Sequence, residues 1–313
     1  MDLLRTPESA FDAITDFPHP PRFADVATPG AAESVRMAWY SSGPQDGPVV
    51  LLLHGEPTWS YLYRDVMAVL ADAGLRAIAV DLVGFGRSDK PTSATDHTYE
   101  RHVAWVRSLV FDVLDLRDVT LVGQDWGGLI GLRLVAEHPG RFARVVAANT
   151  GLPTGDHHMP PQWWQFRRAV EGAATLDIGR LVSAGCRRPL RPGAAAAYDA
   201  PFPDPSMLAG PRAMPTLVPT SPQDPATGAN RAAWERLRSW DRPFLVAFSD
   251  SDPITGPMAS VLQRAIPGTR GLEHPVLAGA GHFLQEDAGA ELGAVIAAFV
   301  RQSRGEGVDG ATD

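Results

Sequence analysis

Residues 119–128 read Val-Thr-Leu-Val-Gly-Gln-Asp-Trp-Gly-Gly, an apolar strand that runs into a turn and then into a helix. In this stretch Asp125 lies between Gly123 and Gly127, each two positions away. A sharp turn from strand to helix strains its central residue, and only small residues fit two positions to either side. The pattern therefore predicts that Asp125 projects above a sheet as a nucleophile, although aspartate is also a common helix N-cap.

Strand-like and helical patterns alternate along the chain on both sides of this turn, which predicts an α/β fold with a mostly parallel sheet. Apolar residues at helical spacing predict helices that start after Trp59, after Thr98 as N-cap, and at Gly127. The first of these should stop at Gly74 and the third before Pro139. The further apolar runs typical of buried strands are 49–53, 77–82, 145–148 and 244–248.

The alternation breaks between residues 154 and 231, where proline is concentrated. Long regular elements are not compatible with that proline density. Because sheet-type sequence resumes afterwards, we expect a main domain of residues 1–153 and 232–304, interrupted by an inserted helical cap of residues 154–231. The small and polar residues 305–313 are expected to form a flexible tail.

The composition excludes several classes of protein. The chain has 313 residues, with 28 basic and 36 acidic side chains and a net charge of -8, so no chain-wide basic surface is available for nucleic acid or an anionic membrane. No apolar run approaches the roughly 20 residues needed to cross a bilayer. The single cysteine, Cys186, favours a reducing compartment, so we expect a cytoplasmic protein that binds a small or neutral ligand.

Two features resemble cofactor sites only weakly. Gly84-Phe85-Gly86 lacks the third glycine of a dinucleotide-binding turn, and His157-His158 has no neighbouring cysteine or ligand one helical turn away. We therefore expect a simple turn at the first and a solvated loop at the second, with no metal and no organic cofactor.

A nucleophile at such a turn needs an acid and then a histidine later in the chain. Asp252 follows the apolar run 244–248, and His282 lies in a glycine-rich loop just before the last predicted helix. Both should lie beside Asp125, at the edge where the parallel strands end. Asp250 is an alternative acid, and a structural Asp-Pro turn is the alternative role for Asp252.

Together these segments resemble the haloalkane dehalogenases of the α/β-hydrolase superfamily, in the subfamily whose catalytic acid follows the next-to-last strand. The resemblance implies that Asp125 is the nucleophile, His282 the base and Asp252 its partner. It also implies that Trp126 and a tryptophan of the cap bind the halide. It spans nearly the whole chain and rests on HGEPTWS (54–60), GFGRSDKP (84–91), GQDWGG (123–128), YDAPFPD (198–204) and GHFLQED (281–287).

The residue types also support this chemistry. A carboxylate can displace halide from a saturated carbon in one in-line step and form an alkyl ester, whereas serine would suit acyl transfer. A neutral His282 imidazole can then activate water against the ester, while Asp252 orients the imidazole and stabilises its cation. The expected reaction converts a small halogenated hydrocarbon and water into an alcohol, a halide ion and a proton.

Halide departure needs hydrogen-bond donors that are not nucleophiles, and an indole N–H is a donor only. Trp126 is one expected halide ligand. The second is Trp163, with Trp164 as the alternative because it is adjacent. A comparison without gaps would put Phe166 at this position, and the aromatic cluster also suits simple packing of the cap.

The loop after the run 49–53 contains Glu56, at the place where this fold supplies a backbone donor to its oxyanion hole. We expect the amides of Glu56 and Trp126 to stabilise the oxygen that becomes charged when water attacks the ester. The Glu56 side chain either positions the hydrolytic water or is merely an acid of the loop.

An epoxide hydrolase is the alternative enzyme, because it can share the loop at Glu56 and the Asp125-Trp126 turn. It would use two cap tyrosines to protonate the opening ring, and the predicted cap has one, Tyr198. A ligand-binding protein of the same fold without catalysis is the less favoured alternative.

Overall fold

The computed structural model describes residues 1–31 and 33–305. None of the described helices is long and apolar enough to cross a lipid bilayer. The strands are β1 (Leu3–Leu4), β2 (Arg22–Ala27), β3 (Ser34–Ser42), β4 (Val49–Leu53), β5 (Arg76–Val80), β6 (Lys90–Pro91), β7 (Val119–Gln124), β8 (Phe142–Ala148), β9 (Phe244–Val246), β10 (Phe248–Ser249) and β11 (Val276–Leu277). The α-helices are α1 (Arg64–Asp72), α2 (Tyr99–Arg107), α3 (Trp126–Glu137), α4 (Pro161–Gly172), α5 (Ile178–Gly185), α6 (Ala194–Asp199), α7 (Ala209–Leu217), α8 (Thr227–Leu237), α9 (Met258–Ala265) and α10 (Leu284–Ser303).

Seven of the described strands form the main sheet, in the order β2-β3-β5-β4-β7-β8-β9. Strand β3 pairs antiparallel with both β2 and β5, and the remaining pairs are parallel. The central strand β7 has parallel neighbours on both sides, and every one of its residues is buried. The mostly parallel sheet predicted from the sequence is thus confirmed.

The antiparallel edge formed by β2 and β3 is not predicted by the sequence patterns. Charged residues such as Asp25 and Arg36 interrupt the apolar runs, because β2 is an edge strand that is largely accessible to solvent. The pairing register places buried Val26 opposite buried Val35. This contact joins two strands that are each too mixed in polarity to be recognised alone.

The predicted crossover helices are present and connect the parallel strands. Helix α1 ends just before Gly74, and α3 ends just before Pro139. Helix α2 starts after Thr98, whose hydroxyl oxygen accepts a hydrogen bond from the Arg101 amide at 3.1 Å. This is the N-cap that the sequence predicts.

The turn at Asp125 has a strained backbone. Asp125 has φ 49° and ψ -125°, a conformation that non-glycine residues rarely adopt. A Cβ added at Gly127 would overlap the carbonyl oxygen of Leu53 in β4. A Cβ at Gly123 would lie 2.7 Å from the Cα of Gly128. Close packing of β4 and α3 against the turn therefore requires glycine on both sides of Asp125.

Residues 154–231 contain helices α4 to α7 and the first part of α8, and no strand is described in this stretch. We keep its assignment as a cap, with a main domain of residues 1–153 and 232–304, as a proposal. Helix α8 crosses the proposed boundary and packs against α3, whereas α4 packs against α7. The tail predicted for residues 305–313 lies, from residue 306 onward, outside the described residues.

We expect the substitution Gly127→Ala to destabilise the protein by about 3 kcal/mol or more, because the added methyl group meets backbone that cannot move aside easily. Gly228→Ala is the matched control, since Gly228 is also the second residue of a helix, and a Cβ there has no neighbouring atom within 4 Å. Urea unfolding of both variants measures the difference in the free energy of unfolding. Equal stability of the two would contradict this account of the turn.

Candidate active site

Asp125 is held in place by residues that follow the strands on either side of β7. Its backbone N–H donates to the Asn149 carbonyl oxygen at 3.0 Å, and its own carbonyl oxygen accepts from the Thr150 hydroxyl at 2.7 Å. On the other side, the Glu56 amide donates to Oδ1 of the Asp125 carboxylate at 2.9 Å. The main chain of Asp125 and one oxygen of its carboxylate are therefore fixed.

His282 lies in the loop before α10, between two carboxylates. Its Nδ1 is 2.9 Å from Oδ2 of Asp252, and its Nε2 is 3.6 Å from Oδ2 of Asp125. The first distance is that of a hydrogen bond, and the second is slightly too long for one. The structure thus brings together the three residues that the sequence analysis selected from separate segments.

The acid in contact with the histidine is Asp252 rather than Asp250. The Asp252 carboxylate is buried and also accepts hydrogen bonds from the Ile254 amide at 2.9 Å and from the Thr255 hydroxyl. Asp250 is exposed, and its carboxylate accepts a hydrogen bond from the Gly279 amide. Of the two aspartates, Asp252 is therefore the one that contacts His282.

The two carboxylates determine the charge of the imidazole between them. Burial alone would raise the pKa of Asp252, but the charge of His282 and the hydrogen bonds to the carboxylate outweigh it and lower this pKa to about 2. Burial alone would lower the pKa of His282, but Asp252 and Asp125 outweigh it and raise this pKa to about 10. The cationic form of His282 is therefore favoured in the resting site.

The Glu56 side chain is buried beside these residues. Within the described part of the chain, its Oε1 has no hydrogen-bond partner. Burial and the charge of Asp125 raise the pKa of Glu56 well above its ordinary value, against the opposing effect of His282. The protonated form of the Glu56 carboxyl is therefore favoured, and it can donate as well as accept a hydrogen bond.

A cavity of about 1080 Å³ lies next to these residues. Its wall includes Glu56, Asp125 and His282 from the proposed main domain, together with Trp163 and Phe166 from α4. The other apolar side chains of the wall include Leu129, Leu152, Met159, Val218, Ile254 and Met258. An apolar cavity with a carboxylate and an imidazole on its wall is typical of a site for a small apolar substrate.

The candidate halide ligands differ in their relation to this cavity. Trp126, the first residue of α3, lines the cavity and packs on Tyr99 with ring centroids 4.9 Å apart. Trp163 also lines the cavity. Trp164 is not among the lining residues and packs edge to face on Trp163, with centroids 4.8 Å apart. The geometry therefore favours Trp163 over Trp164 as the second candidate halide ligand beside Trp126.

The remaining predicted features contribute no further ionisable cluster. Among the described residues, no group of three or more His, Cys, Asp or Glu side chains is placed to hold a metal ion. His157 and His158 are exposed, as predicted for a solvated loop. Tyr198 is buried, donates its hydroxyl to Glu286, and is not among the residues that line the cavity.

The residues that hold the histidine loop were not identified from the sequence patterns. The Asn149 side chain donates to the carbonyl oxygens of Gly281 at 2.9 Å and His282 at 3.1 Å. The Gln124 side chain donates to the His282 carbonyl oxygen at 3.2 Å. The one available signal is position, because Gln124 directly precedes Asp125 and Asn149 directly follows β8.

The chain is similar to known proteins over nearly its whole length. A family model described as alpha/beta hydrolase fold matches residues 48–171. A haloalkane dehalogenase of Psychrobacter cryohalolentis is 48% identical over 306 residues, 97% of this chain and 99% of that protein. Haloalkane dehalogenase 1 of Mycobacterium bovis is 52% identical over 292 residues, 93% of this chain and 96% of that protein. Among solved structures, the tetrameric haloalkane dehalogenase DpaA from Paraglaciecola agarilytica matches with a TM-score of 0.86 and 34% identity, covering 94% of this chain and 97% of that chain.

Proposed function

Because the chain belongs to the haloalkane dehalogenases, hydrolases of the α/β-hydrolase fold that act on carbon–halide bonds, we propose that Asp125 is its nucleophile. One observation carries this proposal: the Asp125 carboxylate and the His282 imidazole lie 3.6 Å apart on the wall of a mostly apolar cavity. The proposed substrates are a small halogenated hydrocarbon and water. The products are an alcohol, a halide ion and a proton.

In the first step, the Asp125 carboxylate attacks the carbon that carries the halogen, from the side opposite the leaving halide. The Glu56 amide holds Oδ1 of this carboxylate, so the nucleophile is oriented before substrate binds. The indole N–H groups of Trp126 and Trp163 are the proposed donors to the departing halide. The step yields free halide and an alkyl ester of Asp125.

Ester formation removes the negative charge of Asp125, and this changes the protonation of the neighbouring imidazole. That charge is one of the two that raise the pKa of His282, so its loss favours the neutral imidazole that can act as a base. His282 then takes a proton from water as the water oxygen attacks the ester. Asp252 stabilises the resulting imidazolium by accepting the hydrogen bond from its Nδ1.

The attack of water on the ester carbonyl carbon places negative charge on the carbonyl oxygen. The Glu56 amide, which already contacts Oδ1 of Asp125, is one proposed donor to this oxygen. The Trp126 amide is the second, since the first amides of a helix have no acceptor within the helix. Collapse of the intermediate releases the alcohol and restores the Asp125 carboxylate, and the proton passes from His282 to solvent.

No observation favours an epoxide hydrolase. Tyr198 is the single tyrosine of the proposed cap, and its hydroxyl is engaged by Glu286 away from the cavity wall. Ring opening by a pair of cap tyrosines therefore has no support in this chain.

We also propose a cytoplasmic location for the enzyme. The free thiol of Cys186, the single cysteine of the chain, supports this assignment because free thiols are typical of reducing compartments.

We expect the His282→Phe variant to release about one bromide per enzyme molecule from a short bromoalkane and then to stall, because displacement precedes the step that needs the base. Rapid-quench measurement of bromide gives the stoichiometry. Mass spectrometry of the intact protein should show the added alkyl group on this variant.

Asp125→Ala is the matched control and should release no bromide, since it has no carboxylate to alkylate. Steady turnover by His282→Phe would remove the imidazole from the mechanism. Bromide release by Asp125→Ala at the rate of the unaltered enzyme would refute the proposed nucleophile.

The two neighbouring cap tryptophans can be distinguished by a matched pair of substitutions. We expect Trp163→Phe to weaken inhibition by bromide about tenfold or more, because a hydrogen bond to a charged group is lost. Trp164→Phe should leave bromide inhibition unchanged, since Trp164 does not line the cavity. Competitive inhibition of turnover by bromide measures both. The reverse ranking of the two variants would assign the second halide ligand to Trp164.

A further inference from the structure

The loop that carries His282 is held from two opposite sides. Its carbonyl oxygens are held by the proposed main domain. The Gly281 carbonyl oxygen accepts hydrogen bonds from the Asn149 side chain and from the Ser249 hydroxyl, both within 3 Å. The His282 carbonyl oxygen accepts from Asn149 and from Gln124. The backbone N–H groups of Gly281 and His282 form hydrogen bonds with other partners.

The amides of the loop are held by the last residue of α5, in the proposed cap, and by Asp287 of α10. The His282 amide donates to the carbonyl oxygen of Gly185, the last residue of α5, at 2.8 Å. The Gly281 amide donates to Oδ2 of Asp287 at 2.8 Å. The same carboxylate accepts from the Arg187 amide at Oδ2 and from the Arg188 amide at Oδ1, both at 2.8 Å.

Asp287 therefore joins two segments that are far apart in sequence. Its side chain is buried, with 4% of the residue exposed. One carboxylate satisfies three backbone N–H groups, two from the segment 185–188 and one from the histidine loop. We propose that Asp287 is a positioning residue for ester hydrolysis, which sets the place of His282 by tying its loop to the segment 185–188 of the cap. This inference rests on the proposed function.

The two joined segments are in direct backbone contact. A Cβ added at Gly281 would overlap the Gly185 carbonyl oxygen. Both segments also contribute to the cavity wall, through Gly185 and Arg187 on one side and His282 on the other. Because there is no space between the segments, a shift of either one displaces the other.

A break in the backbone separates Asp287 from most of its helix. It belongs to the first turn of α10, residues 284–287, and the helix is interrupted directly after it by the non-helical backbone of Ala288, with φ -144° and ψ 34°. The carboxylate thus belongs to a short turn that contacts the histidine loop and the segment 185–188. The long remainder of α10 packs against α1.

The geometry requires a carboxylate at this position. An asparagine would present one acceptor oxygen and one NH₂ group to the same three N–H donors, so at least one donor would lose its acceptor. A buried donor without a partner is costly, and the loop would shift to reduce that cost. The shift would move His282 relative to the ester, whereas alkylation needs Asp125 and the halide donors and not the imidazole.

The test is the Asp287→Asn variant of the full chain, assayed with a short bromoalkane in pre-steady-state and steady-state measurements of bromide release. We expect a burst of about one bromide per enzyme molecule at an unaltered rate. We expect the following steady phase to be slower on the order of 10²-fold, as is typical of a displacement of about 1 Å in a catalytic group. The alkylated protein should then accumulate and be visible by mass spectrometry.

Glu286→Gln is the matched control. Glu286 is adjacent, only 3% of its side chain is exposed, and it also connects the proposed main domain to the proposed cap, through Arg64 and Tyr198. It has no hydrogen bond to the loop at residues 281–282 or to residues 185–188. The ratio of burst rate to steady rate should therefore remain that of the unaltered enzyme, even if the variant is less stable.

An Asp287→Asn variant with an unaltered steady rate, or with burst and steady phases slowed equally, would overturn the inference while leaving the proposed function intact. Absence of any burst from both this variant and His282→Phe would instead count against the proposed function.

If Asp287→Asn does not fold, native-state hydrogen exchange of the unaltered protein tests whether Asp287 ties the histidine loop to the segment 185–188. The amides of Arg187, Arg188 and Gly281 should then open together with the same free energy. Opening of the cap amides independently of the Gly281 amide would overturn the inference.

Discussion

The strained backbone of Asp125 is the constraint on which the rest of the site depends. Its φ of 49° costs on the order of 1–3 kcal/mol for a residue with a side chain. Packing of Gly127 on Leu53 and hydrogen bonds to Asn149 and Thr150 hold it. Because β7 lies between β4 and β8, residues that follow both neighbouring strands bind the main chain and the carboxylate of Asp125.

Electrostatics then links the two chemical steps. In the resting site, His282 lies between two carboxylates that favour its cation. In the proposed mechanism, alkylation of Asp125 would neutralise one of them, so the product of the first step would create the base that the second step needs. In the resting site the charge of His282 and the hydrogen bonds to the carboxylate hold the pKa of Asp252 at about 2, against the opposing effect of burial.

The position of the histidine also depends on parts of the chain that contribute no chemistry. Asn149 and Gln124 hold the carbonyl oxygens of the loop, and Asp287 and Gly185 hold its amides. The proposed main domain and the proposed cap thereby both form hydrogen bonds to the peptide groups of Gly281 and His282. A cap that forms one wall of the cavity would also help to orient the base within it.

Local patterns in the sequence predict much of this arrangement. The glycine spacing around Asp125 predicts the turn, and helical periodicity predicts α1, α2 and α3, because both patterns reflect contacts close in sequence. The choice between Asp252 and Asp250 depends on the path of the loop that follows β10, which local patterns do not determine. The choice between Trp163 and Trp164 needs the orientation of α4, since adjacent helical residues project about 100° apart.

Residues whose partners are distant in sequence leave no local pattern. Asn149 contacts a loop more than a hundred positions away, and Asp287 binds the amides of Arg187 and Arg188 across a similar separation. The edge strands β2 and β3 are missed for the same reason, because their pairing supplies the apolar contact that each strand lacks alone.

The most direct test of the account is a single turnover in water labelled with heavy oxygen, with enzyme in excess over a bromoalkane. If Asp125 forms the ester and water attacks its carbonyl carbon, the label appears in the peptide that contains Asp125, and the alcohol is unlabelled. Label in the alcohol with none in that peptide would mean that water attacks the substrate carbon directly, and would contradict the central claim.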